Sequence, residues 1–479
     1  MTKLKLNNAK GVVLIVLFLG WVFTSEAQNK GQNGNAAGID SSKIDLNLKS
    51  AIDYALKNQL TLKNAQLNED IAREKIGEIA SAGLPQINAA ASVSSSDPLR
   101  RMFFDPNNRA IAAFLPPGPP ISAKVVAIPN FFQLANTGDA GINITQLLFS
   151  NSYLIGLKAA NAYKDFSVLQ TEQARLQVIE DISKMYYLVL INEERLVLLD
   201  RNVLRLDSIL KQTKALYKNG LVENLDVERV QVAFNNLKTT QQNAIYGQYL
   251  CKLGLKLQMG LPLGTDIHLS DKIADYTVEP PVESTAKGGN YNARIEYALL
   301  ASAKKLQTLD LKLKQSSVLP TLAAFGNLGE FSQSTKFDYF TAQNSWYNYG
   351  MFGFSLNLPI FDGFGNQHRI KQARLNLAIT ENNIKNAERG IDAQVENAAV
   401  ALKNNILSLS NEKENIELAQ SVAKATKQKF AQGMGSSLEV TTAETGLLEA
   451  QTNYFTTLYN ALLAKVDYQK ATGSLNNRK

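Results

Sequence analysis

The chain has 479 residues, 45% of them apolar and 19% charged, a balance that excludes intrinsic disorder and leaves room for two or three domains. Its formal charge of +7 comes from Lys and Arg interspersed with acids, so nothing marks a nucleic-acid partner, and the single Cys251 cannot close an internal disulfide. Beyond the N-terminal segment no apolar stretch is long enough for a membrane-spanning helix, so any membrane crossing must use β-strands.

At the N-terminus, Lys3, Lys5 and Lys10 precede an apolar run from Val12 to Phe23 and the small-residue ending Ser25-Glu26-Ala27, which reads as a signal peptide over 1–27. Residues 28–44, rich in Gly, Asn and Ala, read as a flexible leader. A first half, 45–260, then comprises a helix over 45–81, strands at about 85–95 and 139–149, a long helix over 151–218 and a helix over 223–258. Segment 97–130 lies between the two strands, and Pro116–Pro120 make it too proline-rich for regular structure. A linker, 261–290, leads to a second half, 291–473: a helix over 291–318, strands at about 320–333 and 346–361, a long helix over 363–432 and a helix over 436–472, with a tail over 474–479.

Each long helix spans about 100 Å at 1.5 Å per residue, more than a compact domain holds. Leu196, Leu199, Val203, Leu206, Ile209 and Leu210 recur at helical spacing with charges between them, which predicts packing of a coiled-coil kind. The strands alternate instead: Ile87, Ala89, Ala91 and Val93 with Asn88, Ala90, Ser92 and Ser94, and Phe352, Phe354, Leu356 and Leu358 with Gly353, Ser355 and Asn357. Trp346, Tyr347 and Tyr349 cluster at the outer end of the last strand, as interfacial aromatics do in a barrel with lipid outside and water inside. A soluble half-buried sheet produces the same alternation.

The halves repeat one another. Laying 217–260 on 430–473 without a gap matches Gly220 with Gly433, Leu225 with Leu438, Val227 with Val440, Tyr246 with Tyr459, Leu250 with Leu463 and Gly260 with Gly473, and sets Asp226 against Glu439. Upstream, 144–149 matches 356–361, and Leu84-Pro85 matches Leu319-Pro320. The strands of one such chain are too few to close a barrel, and an open edge in hydrocarbon leaves backbone groups unsatisfied, so the chain must oligomerise; three copies supply about twelve strands.

Several segments resemble the TolC-like outer-membrane efflux proteins over essentially the whole chain after the signal. Leu46–Asn58 is similar to the family's opening helix, Gly83–Ile87 to its helix-to-strand junction and Pro359–Gly363 to its strand-to-helix junction, while Tyr217–Val227 and Phe430–Val440 are similar to its two periplasmic turns. The fold class this implies is mainly α with a membrane β-barrel: a duplicated, coiled-coil α-barrel plus four strands per chain, closing as a twelve-stranded barrel in a homotrimer. It implies a passive duct in outer-membrane lipid, with helices in the periplasm, docked to a periplasmic adaptor (a membrane fusion protein) and to an inner-membrane transporter of the RND, ABC or MFS type. No cofactor, metal, catalytic residue or nucleic acid is implied.

The expected docking turns carry Gly220, Leu221, Gly433, Met434 and Gly435, and the expected pore constriction carries Glu439 and Asp226. A ring of three carboxylates would focus cations, although an acid in the first turn of a helix is also favoured by the helix dipole alone. The family's second tip acid and its latch arginine fall here on Thr442 and Gly435, and Glu444 is too displaced to replace the acid. An enzyme is disfavoured because His268 and His368 sit beside no nucleophile or metal motif. A periplasmic helical adaptor or structural coiled coil is the remaining alternative, distinguished by strands that would not interrupt both halves symmetrically.

Overall fold

The computed structural model describes residues 44–105, 125–130, 132–273, 276–281, 291–337, 339 and 345–475. The expected signal peptide, nearly all of the leader and parts of segment 97–130, the linker and the tail lie outside the described residues. The elements run β1 (Ile44–Leu46), α1 (Leu48–Asn58), α2 (Leu60–Ser81), β2 (Gln86–Ser95), β3 (Arg101–Phe104), β4 (Val126–Pro129), β5 (Asn136–Phe149), α3 (Asn151–Lys218), α4 (Asn224–Met259) and β6 (Ile267–Leu269). A 3₁₀ turn (Tyr291–Ala293) precedes α5 (Ile295–Ser316), β7 (Thr321–Ser334), β8 (Tyr347–Asn357), α6 (Gly365–Ala431) and α7 (Ser437–Ala471). No helix among the described residues is long and apolar enough to cross a membrane.

The chain forms two compact units, one of strands and one of helices. In the strand unit, β2, β5, β7 and β8 make one four-stranded sheet in the order β2-β5-β7-β8, antiparallel throughout, with β2 and β8 as its edges. Segment 97–130 is not wholly irregular: its flanks pair as an antiparallel ribbon, Arg101–Phe104 on Val126–Pro129, because the proline run at 116–120 lies between them and Pro129 falls at the ribbon's end.

In the helical unit, the expected helix over 45–81 is three elements. Ile44–Leu46 pair in parallel with Ile267–Leu269, so these residues are strand. Asn47 then caps α1, its Oδ1 accepting from Ser50 N at 2.7 Å while Ser50 Oγ accepts from Asn47 N at 2.9 Å. At Gln59 the backbone is extended (φ −66°, ψ 124°); its N–H ends α1 on Ala55 O, and its Oε1 accepts from Leu62 N at 3.0 Å to start α2. One side chain thus ends one helix and opens the next.

The second half breaks at a comparable point, where Arg294 separates the 3₁₀ turn from α5, and α2 and α5 are both 22 residues long. Gly260 (φ +72°) lies against Asn58 and Gln59, and Gly473 (φ +72°) lies against Ala293. The core joins Leu48, Ala51, Ile52 and Ala55 of α1 to Ile182, Tyr186 and Val189 of α3, Leu255 and Met259 of α4, and Leu458, Leu462 and Val466 of α7. A second cluster nearer the helix ends joins Leu206, Ile209 and Leu210 to Val230, Phe430 and Val440.

Candidate functional site: the helix tips and the strand sheet

The ends of α3 and α6 are built alike. Gly220 N–H donates to Tyr217 O at 2.9 Å and Leu221 N–H to Leu216 O at 3.0 Å; Gly433 N–H donates to Phe430 O at 3.0 Å and Met434 N–H to Lys429 O at 3.0 Å. These are Schellman endings, which need a left-handed residue after the helix, and Gly220 (φ +71°) and Gly433 (φ +72°) supply it. The residue after each glycine commonly packs back on its helix, yet Leu221 is 69% and Met434 71% exposed. The two turns therefore present a matched pair of apolar side chains.

Asp226 and Glu439 occupy the same position, third in their helices, but in different circumstances. Asp226 Oδ2 accepts from Glu223 N at 3.3 Å, and its Oδ1 accepts from the buried Ser437 Oγ, so one carboxylate ties the start of α4 to the start of α7. Arg229 stands 3.9 Å away. Glu439 is exposed; its N–H donates to the capping Ser436 Oγ at 3.2 Å. Gly435 is partly exposed but closely approached on one side: a Cβ there would lie 3.2 Å from Phe430 N and 3.4 Å from both Lys429 Cβ and Glu439 Oε2. Thr442 is exposed on α7.

Glu444, set aside by sequence reasoning, is only 10% exposed and forms an ion pair with Arg205 of α3 at 2.9 Å. Arg205 also donates to Asn202 Oδ1, and Asn202 Nδ2 donates to Gln451 Oε1 at 2.9 Å. Burial pushes the Glu444 carboxyl above the usual carboxylate range, outweighing the attraction of Arg205 and Lys427. Asn202 on α3 and Gln451 on α7 interrupt buried apolar stripes, and that interruption was the available signal.

The register of the sheet assigns each strand residue to a face. One face carries the rows Ile87–Ile144–Gly326–Phe352 and Ala89–Ile142–Leu328–Gly350, with Val93, Phe354 and Leu356 on the same side. The other carries a row of three asparagines, Asn88–Asn143–Asn327, ending in Met351, and beyond it the row Ser92–Asp139–Phe331–Tyr347. The first face is apolar through the rows that hold Ile87, Ala89 and Phe352 and turns polar in the row beyond, at Glu330 and Asn348, whereas the second carries the asparagine row and Asp139, an asymmetry that fits hydrocarbon on one side and water on the other.

The aromatic residues at the outer end do not act as one cluster. Trp346 packs with Tyr339, ring centroids 6.0 Å apart, over Gly138 on the apolar face. Tyr347 and Tyr349 lie on the polar face, because strand parity places odd-numbered residues of β8 there. Interfacial placement therefore fits Trp346 and fails for the two tyrosines.

The sequence profile of the family described as "Outer membrane efflux protein" matches residues 51–253 and 298–474. The outer membrane protein TolC of Escherichia coli is 24% identical over 467 residues, covering 92% of this chain and 85% of its own, and that of Vibrio cholerae is 21% identical over 435 residues, covering 90% and 92%. Among solved structures, the CmeC outer membrane channel of Campylobacter jejuni superposes with a TM-score of 0.67 at 19% identity, covering 89% of this chain and 86% of that one. Long helices joined through Schellman tips, a sheet with one largely apolar face, and a profile matching residues 51–253 and 298–474 lead to one assignment: the chain belongs to the outer membrane efflux protein family, channels of the outer membrane whose helices stand in the periplasm.

Proposed function

We propose that the chain is the passive exit duct of a tripartite efflux pump or type I secretion system and works as a homotrimer. The observation that carries this reading is the pair of open sheet edges. β2 and β8 each present a strand of ten or more residues beside a face whose Ile87, Ile142, Leu328 and Phe352 rows are apolar, and in hydrocarbon those backbone groups need partners that one chain lacks. Pairing β8 of one copy with β2 of the next satisfies both edges, and three copies close a barrel of about twelve strands, wide enough to hold water.

The tip turns dock a periplasmic adaptor, which links the duct to an inner-membrane transporter of the RND, ABC or MFS type. The exposed, repeat-related Leu221 and Met434 support this, as two equivalent apolar knobs per chain. Glu439 forms the carboxylate ring at the constriction, whereas the bonded Asp226 holds the two tip helices together beside it. Residues 45–260 and 291–473 are two copies of one unit, as the matched pairs Gly220 with Gly433 and Gly260 with Gly473 support.

Electron microscopy of the detergent-extracted mature protein tests the reading. Threefold tubes well over about 100 Å long are expected from helices of this length plus a barrel. Compact particles, or rods without a barrel end, overturn it.

A further inference from the structure

The polar face of the sheet carries an aromatic platform that the duct reading alone does not require. Tyr349 does not stand out from the strand but lies across its neighbours. A Cβ at Gly329 would meet its ring at 2.8 Å, a Cβ at Gly141 would meet its hydroxyl at 3.2 Å, and that hydroxyl donates to Asp139 Oδ2 at 3.0 Å. Two glycines in adjacent strands thus form the floor on which one ring lies flat, spanning from β8 over β7 to β5. The opposite side of the ring stays open, and Tyr349 remains 42% exposed.

Charge adds a second, independent observation. Asp139 is the only formally charged residue on the polar face among the residues of β2, β5, β7 and β8, and its row continues into the aromatic side chains Phe331 and Tyr347. A carboxylate beside exposed aromatic faces, with no Lys or Arg on that face of the four strands, attracts cations and offers π-faces to planar groups. A free carboxylate alone would not prefer aromatic ligands, and an aromatic patch alone would not prefer cations.

From this geometry we infer that Tyr349 and Asp139 form a binding step for planar aromatic cations on the water-facing wall of the barrel. The inference rests on the duct reading, which makes this face the lumen; three copies line the wall with three such steps. Each step is shallow and open, so it holds a passing solute briefly and favours aromatic cations over aliphatic cations or aromatic anions.

The test uses the purified full-length channel in planar lipid bilayers, with ethidium as the probe and tetramethylammonium and naphthalenesulfonate as comparisons. Ethidium is expected to block the current at concentrations where the other two do not. Tyr349→Leu and Asp139→Asn should each weaken ethidium block roughly three- to tenfold, while Tyr349→Trp, which keeps a ring, should retain most of it. Insertion of a variant as a conducting channel establishes that its barrel is intact, and the Trp and Leu variants can be compared if the Asn variant does not insert. Ethidium block that is equal in the parent, Tyr349→Leu and Asp139→Asn overturns the inference, as does equal block by naphthalenesulfonate. A parent protein that conducts no ions sinks the duct reading itself and the site with it, a result distinct from a conducting channel whose block ignores both residues.

Discussion

Arg205 and Glu444 meet at 2.9 Å between α3 and α7, beside the Asn202–Gln451 hydrogen bond, and the four side chains form one polar layer between the two helices. Burial holds the Glu444 carboxyl above its ordinary value of 4.5 despite the arginine, so the ionised form is disfavoured on folding. A group raised in this way contributes its stability below the unfolded pKa and loses it as pH rises through the folded value. Glu444→Gln, which resembles the protonated acid, is therefore expected to melt higher than the parent at pH 8, with the difference shrinking towards zero near pH 4. Thermal melts across that pH range check it, and a Gln variant less stable at pH 8 contradicts it.

Glu180 behaves in the opposite sense. Burial alone would raise its carboxyl, but hydrogen bonds from Lys184 at 2.7 Å and Lys470 at 2.6 Å outweigh it and hold the group below 4.5. Its stability is present above the unfolded pKa and is lost as pH falls through the depressed folded value. Glu180→Gln is expected to cost about 2 kcal/mol at pH 7, less than a fully buried pair because Lys184 and Lys470 are 30% and 40% exposed. Denaturant unfolding should show that cost falling as pH drops below 4.

The four left-handed glycines at the ends of α3, α4, α6 and α7 should not tolerate alanine equally. At Gly220 nothing lies within 4 Å of a new Cβ, so Gly220→Ala faces only backbone strain, about 1–2 kcal/mol. At Gly473 the Cβ would sit 2.6 Å from the carbonyl oxygen of Ala293, so Gly473→Ala must also displace backbone. Chemical denaturation is expected to rank Gly473→Ala clearly below Gly220→Ala, and equal losses would contradict the close packing.

The two tip acids should separate in a conductance experiment. Glu439→Gln removes the exposed carboxylate and is expected to lower cation selectivity while leaving the fold intact. Ser437→Ala removes the donor to Asp226 and is expected to loosen the tie between α4 and α7, increasing open-channel time with little effect on selectivity. Reversal potentials and open probabilities in planar bilayers distinguish the two, and a selectivity change in Ser437→Ala would place Asp226 in the ion path.

The strand pattern was legible because alternation is local: Ile87 and Val93, or Phe352, Phe354 and Leu356, face one side whatever they pair with. Turn glycines were legible for the same reason, since a left-handed residue after a long amphipathic run ends a helix in any context. The break at Gln59 was not, because helical periodicity continues through it, and the extended residue is held by its own caps beside Gly260. Nor was the strand at Ile44–Leu46 visible, since its partner lies more than 200 residues away.

The sequence by itself determined the long helices, the alternating strands and the family, all of which depend on near-neighbour chemistry repeated along the chain. Only the tertiary structure decided which polar groups meet. It set Glu444 against Arg205, tied Asp226 to Ser437, and laid Tyr349 over Gly329 and Gly141 to reach Asp139. Those partners are brought together by strand register and helix packing, and a side chain's neighbours across an interface depend on distances that no local pattern encodes.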